Sequence, residues 1–313
     1  MRVGENPAKT IQKIKQPERI TVAVLSYVPF LSGYYSEALA VLKVCLDGIW
    51  KNSDLPYDLM VFDNGSCPET QDFLLAAKSQ GKIQYLILSE KNVGKGAAWN
   101  LIFQGAPGEI IAYCDGDALL FSGWLSASVR VLETYPNVGM VTARPMRTDL
   151  SLSSATIAWA EKEKEVKVTE GQLMTFEEFK EFADTMGYTE KKINEIYVSS
   201  RDVRLEYCGL RAFVGANHFQ FVSWKNVLTR FTPFAMDKPL GQVQQLDERL
   251  NQAGYLRLMT EKPLVQNMSN RVPRKHADRI NLQNKTRSGW NNPLIKKMML
   301  SLYDKIFKIY FEK

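Results

Sequence analysis

The stretch Ile110-Ile-Ala-Tyr-Cys-Asp-Gly-Asp117 decides the fold class of this chain. Its apolar part predicts a buried strand at residues 110–114, and two carboxylates follow it directly, on Asp115 and Asp117. Like charges this close in an apolar setting repel each other and resist ionisation, and a divalent cation removes the conflict. Mg²⁺ and Mn²⁺ take carboxylates together with substrate phosphates, and Gly116 permits a close backbone approach. The stretch therefore predicts a metal and phosphate site. The alternative is a surface turn, as in most isolated Asp-x-Asp sequences.

The first half of the chain alternates between strand and helix patterns. Four further apolar, β-branched stretches predict strands at residues 20–25, 58–62, 84–88 and 138–142. Apolar residues at helical spacing predict helices at residues 38–49 and 125–132. This alternation predicts an α/β fold with a mostly parallel central sheet and helices on both of its faces.

Polar residues follow three of these strands immediately. They are Ser26-Tyr27, Asp63-Asn64 and Asp115-Gly-Asp117. Ligands of parallel α/β sheets bind beyond the carboxyl ends of the strands, so the shared placement predicts one binding site. Asp63 could accept hydrogen bonds from a nucleobase or ribose. The alternative is that Asp63 is only the turn residue before the next helix.

A glycine-containing turn opens the helix predicted after the third strand, with the sequence Asn92-Val-Gly-Lys-Gly-Ala-Ala-Trp-Asn100. Backbone N–H groups at such helix starts bind phosphate or ribose, so Asn92, Gly94, Lys95 and Asn100 are candidate ligands of the same site. The turn is not a P-loop, because no Ser or Thr follows Lys95 and the spacing differs. The alternative for Lys95 is an ordinary exposed lysine.

Two helix starts carry capping-box signals. Ser66 with Glu69 precedes the helix after the second strand, and Thr175 with Glu178 starts a later one. The later helix lies in a highly charged segment, residues 150–207, for which we predict a helical insertion. This insertion would be a lid or a partner surface, and a solvated helical hairpin is an equally weighted alternative.

Positive charge is concentrated at the C-terminal end of the chain. The whole chain has a net charge of +6, and residues 268–313 alone contain 11 Lys and Arg against 3 Asp and Glu. Within this segment, residues 290–313 predict a basic amphipathic helix, which suits an anionic membrane surface. The alternatives are packing on the domain or against a second copy. The segment matches no nucleic-acid-binding motif, so we expect no nucleic-acid partner.

Three features predict a cytoplasmic protein. No stretch is apolar and long enough to cross a membrane, and residues 1–19 lack the apolar core of a signal peptide. The four cysteines are far apart and form no C-x-x-C pair, so a zinc site is not expected and reduced thiols are. Together with the basic amphipathic helix, this composition allows a peripheral contact at the inner face of the membrane.

In order and spacing, these segments resemble the family 2 glycosyltransferases with the GT-A fold, over roughly residues 18–145. The matching segments are 20–25 with Ser26-Tyr27, Asp63-Asn-Gly-Ser66, Asn92-Val-Gly94 with Ala98-Trp-Asn100, and Asp115-Gly-Asp117. The combination is fairly specific, although no single piece is.

The resemblance implies transfer of a sugar from a nucleoside diphosphate, with uridine diphosphate as the first expectation, to an acceptor hydroxyl with inversion. It implies Mn²⁺ or Mg²⁺ on Asp115 and Asp117, and a glycan or lipid-linked acceptor in polysaccharide biosynthesis. The residues implied to bind the nucleotide sugar are Ser26, Tyr27, Asp63, Asn64, Asn92, Gly94, Lys95, Asn100, Asp115, Gly116, Asp117 and Gly215.

One departure from the family concerns the general base that inversion requires. The family places an acidic pair where this chain has Gln242-Val243, which cannot accept a proton. Asp247, one helical turn further on, and Asp237 are therefore the catalytic candidates. The alternative for Asp247 is a solvated helix residue. His218 follows the segment aligned with a sugar-facing turn, where a lone histidine is more often structural than a ligand.

The predicted organisation is a GT-A domain at residues 1–267 followed by a basic C-terminal segment at 268–313. The domain comprises a nucleotide-binding half at 18–145, the insertion at 150–207 and an acceptor-side half at 208–267. A degenerate domain that binds a nucleotide or partner without transfer is the first alternative function, favoured by Gln242-Val243. A sugar nucleotidyltransferase ranks last, because the turn after the first strand contains one glycine and no Arg or Lys.

Overall fold

The computed structural model describes residues 3–11, 13–235 and 243–273 of the chain. A first compact unit spans Met1–Val272, and the second unit, Pro273–Lys313, lies almost entirely outside the described residues. The catalytic candidate Asp237 and the amphipathic helix predicted at 290–313 also lie outside them.

Every strand and helix predicted in the first half of the chain is present, with bounds within three residues of the prediction. The strands are β1 Ile20–Ser26, β2 Asp58–Asn64, β3 Tyr85–Ser89, β4 Ile110–Asp115, β5 Ala118–Leu120, β6 Val138–Thr142, β7 Lys167–Gly171, β8 Asp202–Tyr207, β9 Leu210–Val214, β10 Gln220–Trp224, β11 Leu256–Thr260 and β12 Val265–Asn267. The helices are α1 Ala38–Asn52, α2 Pro68–Ser79, α3 Gly94–Gly105, α4 Trp124–Thr134, α5 Ser154–Lys162, α6 Phe176–Thr185, α7 Glu190–Ser199, α8 Lys225–Thr229 and α9 Val243–Gln252. None of these described helices is long and apolar enough to span a membrane.

Ten strands form one sheet in the order β3-β2-β1-β4-β10-β6-β11-β9-β8-β7, and β5 pairs with β12 in a small second sheet. The pairs β3-β2, β2-β1 and β1-β4 are parallel, as is β6-β11. Strand β10 runs antiparallel between β4 and β6. The predicted α/β fold is confirmed, and the parallel part brings the ends of β1, β2 and β4 to one edge of the sheet.

Helices cover both faces of this sheet. Because side chains alternate along a strand, Tyr113 and Cys114 of β4 face opposite sides. Tyr113 packs edge-on against Trp99 of α3, within a large aromatic cluster. The Cys114 thiol lies beside Cys45 of α1 on the other face. The predicted two-faced packing of the nucleotide-binding half is therefore present.

The segment 150–207 contains helices α5, α6 and α7, as predicted, and two strands that were not predicted. Strand β7 pairs antiparallel with β8, and β8 pairs with β9, so the segment extends the main sheet. Four of the five residues of β7 are exposed, and Val168 is its one aliphatic side chain. The strand therefore carries no periodic apolar pattern, and its backbone pairing with β8 defines it.

One of the two predicted capping boxes is confirmed and the other is wrong. Thr175 and Glu178 exchange backbone and side-chain hydrogen bonds at the start of α6. Helix α2 starts from Cys67 without a side-chain cap. The Ser66 hydroxyl instead accepts a hydrogen bond from the buried Val28 N–H at 2.9 Å. A buried N–H needs an acceptor, so the turn after β1 takes the hydroxyl that the helix would have used.

Candidate active site

A cleft of about 340 Å³ opens where β1, β2 and β4 end, and we call it the strand-end cleft. It lies where the parallel strands place their carboxyl ends, as expected for this class of sheet. Nine of the predicted nucleotide-sugar residues line it. They are Ser26, Tyr27, Asn64, Asn92, Gly94, Lys95, Asp115, Gly116 and Asp117.

Two asparagines build one wall of the cleft by holding the turn before α3. The Asn64 amide donates to Asn92 Oδ1 at 2.9 Å, and Asn64 Oδ1 accepts from the Val93 N–H at 2.9 Å. Asn92 Oδ1 also accepts from the Gly94 N–H at 2.8 Å. These bonds lock the end of β2 to the N-terminus of α3, so the positive end of the helix dipole borders the cleft.

Lys95 reaches from the first turn of α3 to the end of β4. Its ammonium lies 2.7 Å from Asp115 Oδ2, and the Tyr113 hydroxyl donates to Asp115 Oδ1 at 2.5 Å. The same ammonium lies 5.4 Å from the ring centre of Trp99. Burial, and then the charge of Asp115, raise the pKa of Tyr113 well above its ordinary value, so this hydroxyl keeps its proton. Asp115 therefore has partners on both of its oxygens.

Asp117 has an incomplete set of partners. Its Oδ1 is buried and has no hydrogen-bond partner among the described residues, although the residue lines the cleft. Burial raises the pKa of this carboxyl from 3.8 to about 7, and the charge of Asp115 adds to the shift while Lys95 opposes it. A cation at this carboxylate would offset both causes.

The donor set at the cleft suits a cation that shares its ligands with a substrate. Among the described residues, no three His, Cys, Asp or Glu side chains lie close enough to hold a metal by themselves. Asp117, with Asp115 beside it, would supply the protein ligands of Mn²⁺ or Mg²⁺, which commonly complete their shell with phosphate oxygens and water. A Cβ on Gly116 would lie 3.1 Å from Leu42 Cδ1 and 3.2 Å from the Leu25 carbonyl, so a larger residue would be crowded between the two carboxylates.

Three predicted ligands do not line the cleft. Asp63 is buried and its Oδ2 accepts from the Ser66 N–H at 3.0 Å, the geometry of the turn alternative. The Asn100 amide bonds to the backbone of Phe234 through both its oxygen and its nitrogen. Gly215 has a φ of +120°, and a Cβ there would lie 2.3 Å from Thr148 Oγ1. The described contacts of these three residues are structural, and their part in nucleotide binding stays a prediction.

Four cleft residues with polar side chains were not identified from the sequence. They are Tyr34, Tyr35, Ser269 and Asn270. The two tyrosines form an edge-on pair with ring centres 5.1 Å apart, and the Asn270 amide donates to the Tyr34 carbonyl at 3.1 Å. The adjacent aromatics before α1 were a signal that could have been read. Asn270 carried none, because 236 positions separate it from Tyr34.

The catalytic candidate Asp247 lies in a closed arrangement on α9. Its Oδ1 accepts from a buried Arg257 nitrogen at 2.8 Å, and its Oδ2 lies 3.6 Å from His218 Nδ1. The same Arg257 nitrogen donates to the Ala216 carbonyl at 2.9 Å. The Asp247 side chain is only 7% exposed, so it does not offer an open surface to an acceptor. The solvated-helix alternative is wrong, because Asp247 points into the protein.

The ten-stranded sheet, its flanking helices and the cleft at the strand ends define an α/β protein. A family model described as glycosyl transferase family 2 matches residues 34–195, just over half of the chain. This chain therefore belongs to glycosyl transferase family 2. No curated protein matches it by sequence.

The solved structures that are similar to this chain include two that match about four fifths of it or more. One is the mannosyltransferase PcManGT from Pyrobaculum calidifontis, in complex with GDP-Man and Mn²⁺, at 19% identity and a TM-score of 0.49. The match covers 85% of this chain and 60% of that one. The other is S. aureus TarS 1–349, at 14% identity and a TM-score of 0.45, over 79% of this chain and 60% of that one. The chain thus spans less than two thirds of either structure.

Proposed function

We propose that this protein is a metal-dependent inverting glycosyltransferase that moves a sugar from a nucleoside diphosphate, with uridine as the first candidate base, to an acceptor hydroxyl. One observation carries the proposal. Asp117 lines the strand-end cleft with a buried oxygen that has no partner within the described part of the chain, next to the Asp115–Lys95 ion pair. A carboxylate left incomplete in this way suits a cation that arrives with the donor.

The walls of the cleft match the parts of a nucleotide sugar. Tyr27, Tyr34 and Tyr35 provide aromatic surface for a nucleobase. The N-terminus of α3 and the Lys95 ammonium provide positive potential for a diphosphate. Asp117 and Asp115 would hold the cation between these groups. A bound Mn²⁺ or Mg²⁺ supplies Lewis-acid stabilisation of the charge that develops on a leaving diphosphate.

The acceptor proposed for this chain is a glycan or a lipid-linked glycan, in polysaccharide biosynthesis. We place the protein in the cytoplasm, with a peripheral contact between the basic segment at 268–313 and an anionic membrane. Lysines and arginines near such a surface are attracted to its negative charge. The chemistry of the strand-end cleft does not depend on this contact.

Calorimetric titration with UDP and with GDP, each with and without Mn²⁺, tests the proposal. We expect wild-type protein to bind one of them in a metal-dependent manner, and Asp117→Ala to lose at least ten- to hundredfold in affinity with the metal present. Asp184→Ala removes an exposed carboxylate from α6 and is the matched control, which should bind as wild type does.

Two results would argue against the proposal. If folded wild-type protein binds neither nucleotide with Mn²⁺ present, the uridine and guanosine donors are wrong. If it binds a nucleotide but transfers no sugar to water or to any offered glycan, the degenerate binding domain becomes the better description.

A further inference from the structure

The turn that joins β9 to β10 is bonded directly to the acidic end of β4. The Phe219 carbonyl accepts from the Asp115 N–H at 2.7 Å. The carbonyl of His218 accepts from the Lys95 ammonium at 3.3 Å, and Lys95 is the residue that pairs with Asp115. The backbone of His218 is thus fixed one side chain away from the strand-end cleft.

The imidazole of His218 is the accessible member of a histidine–aspartate pair. Its Nδ1 lies 3.6 Å from Asp247 Oδ2, and its side chain is 36% exposed against 7% for Asp247. The two ring nitrogens lie on different sides of the imidazole, so Nε2 is directed away from the carboxylate. A separation slightly longer than a hydrogen bond is common in unliganded catalytic pairs, which tighten when substrate binds.

Arg257 holds the Asp247 carboxylate in place. It donates to Asp247 Oδ1 at 2.8 Å, and it also donates to the carbonyls of Ala216 and Leu152 at 2.9 and 2.8 Å and to the Ser153 hydroxyl at 3.3 Å. A carboxylate fixed in this manner holds one imidazole tautomer, with the proton on Nδ1, and stabilises the imidazolium ion. Among the residues that the structure describes, the charged side chains that contact His218 are Asp247 from α9 and, at the backbone carbonyl, Lys95 from α3, and Arg257 of β11 lies behind Asp247.

We propose that His218 is the catalytic base of the transfer reaction and that Asp247 is its positioning residue, an inference that rests on the proposed function. The Nε2 lone pair takes the proton of the acceptor hydroxyl while the acceptor oxygen bonds to the anomeric carbon. The bond from that carbon to the diphosphate oxygen breaks, and its electron pair leaves with the diphosphate. Asp247, predicted from the sequence as the base, acts through the imidazole.

Hydrolysis of UDP-glucose and GDP-mannose with Mn²⁺, between about pH 5 and 9, tests this role because the base also activates water. We expect the wild-type rate to fall on the acid side, where imidazoles gain a proton. His218→Gln should lower the rate on the order of 10²- to 10⁴-fold and abolish the fall in rate at acid pH. Added imidazole should restore part of the rate, and the affinity for the nucleotide should stay within about threefold.

A second variant tests the positioning role of Asp247, and Asp184→Asn, at an exposed carboxylate of α6, is its control and should keep the wild-type rate and pH profile. Asp247→Asn should lower kcat and shift the acid limb to lower pH while KM changes little, a pattern that loss of packing alone would not produce.

The outcomes separate the two proposals. If the wild type binds no nucleotide, the proposed function fails. If it binds and hydrolyses a donor, and His218→Gln does so with an unchanged rate and pH profile, only the assignment of the base is overturned. The assignment is also overturned if the wild type binds a nucleotide but hydrolyses neither sugar donor, because a base beside the donor would activate water.

Discussion

Asp117 in the strand-end cleft and Asp247 on α9 are both largely withdrawn from water, but their surroundings differ. Asp117 has an oxygen without a partner among the described residues, and its pKa is raised to about 7. Asp247 has a guanidinium on one oxygen and an imidazole near the other. A carboxylate with an unpartnered oxygen can accept a ligand, whereas a carboxylate with partners on both oxygens fixes the positions of those partners. Exposure alone would not have separated the two roles.

The largest change in stability should come from breaking the ion pair between Asp247 and Arg257. Arg257→Met leaves Asp247 as a buried charge without compensation, so the free energy of unfolding should fall by about 3–5 kcal/mol. Urea unfolding monitored by circular dichroism measures this. The double variant Arg257→Met with Asp247→Leu should recover much of the loss, because it removes the uncompensated charge. If the single variant is as stable as the wild type, the ion pair contributes little to the free energy of unfolding.

Replacing Asp117 should have a smaller effect on stability, and this effect should be a gain. In the metal-free protein, the folded state keeps a proton on Asp117 up to about pH 7, while the unfolded chain releases it near 3.8. The folded state binds more protons in this window, so the contribution of Asp117 to stability falls as the pH rises from about 4 to 7 and stays low above it.

Asp117→Asn removes this titration and should stabilise the metal-free protein above pH 7. Each unit of pKa shift corresponds to about 1.4 kcal/mol, so the gain should be on the order of a few kcal/mol and should disappear at about pH 4. Urea unfolding in EDTA at several pH values measures it, with Asp184→Asn as the exposed control. A variant no more stable than the wild type at about pH 8 would show that Asp117 is not strained in the metal-free protein.

The smallest effect should come from the insertion. Thr175→Ala removes the confirmed capping box of α6 and should cost about 1 kcal/mol of stability. It should leave nucleotide affinity unchanged in calorimetric titration, since α6 contributes no residue to the lining of the strand-end cleft. A loss of nucleotide affinity would show that the insertion and the cleft are coupled. Ser66 does not cap α2, so Ser66→Ala should not weaken the start of that helix. Any loss of stability in this variant should come from the Val28 N–H, which loses its acceptor.

The sequence by itself determined the parallel half of the sheet and most of the strand-end cleft. Strands β1, β2 and β4 are buried along most of their length and appear as continuous apolar stretches, and their polar ends come next in the chain. The position of Asp115 and Asp117 follows from such local order, because the edge of a parallel sheet collects whatever follows each strand. Asn64 was predicted for the same reason, and Asn92 was predicted from the glycine-containing turn that opens the next helix.

Only the tertiary structure decided which carboxylates have partners for both of their oxygens. Asp63 and Asp117 both follow buried strands, yet Asp63 bonds within its own turn and does not line the cleft. The Asp247–Arg257 pair and the contact with His218 join residues from two different secondary structure elements and a turn. No periodicity relates such residues, because long-range packing, rather than local spacing, determines which charges meet. The chemistry assigned to His218 therefore becomes visible only when its neighbours are in place.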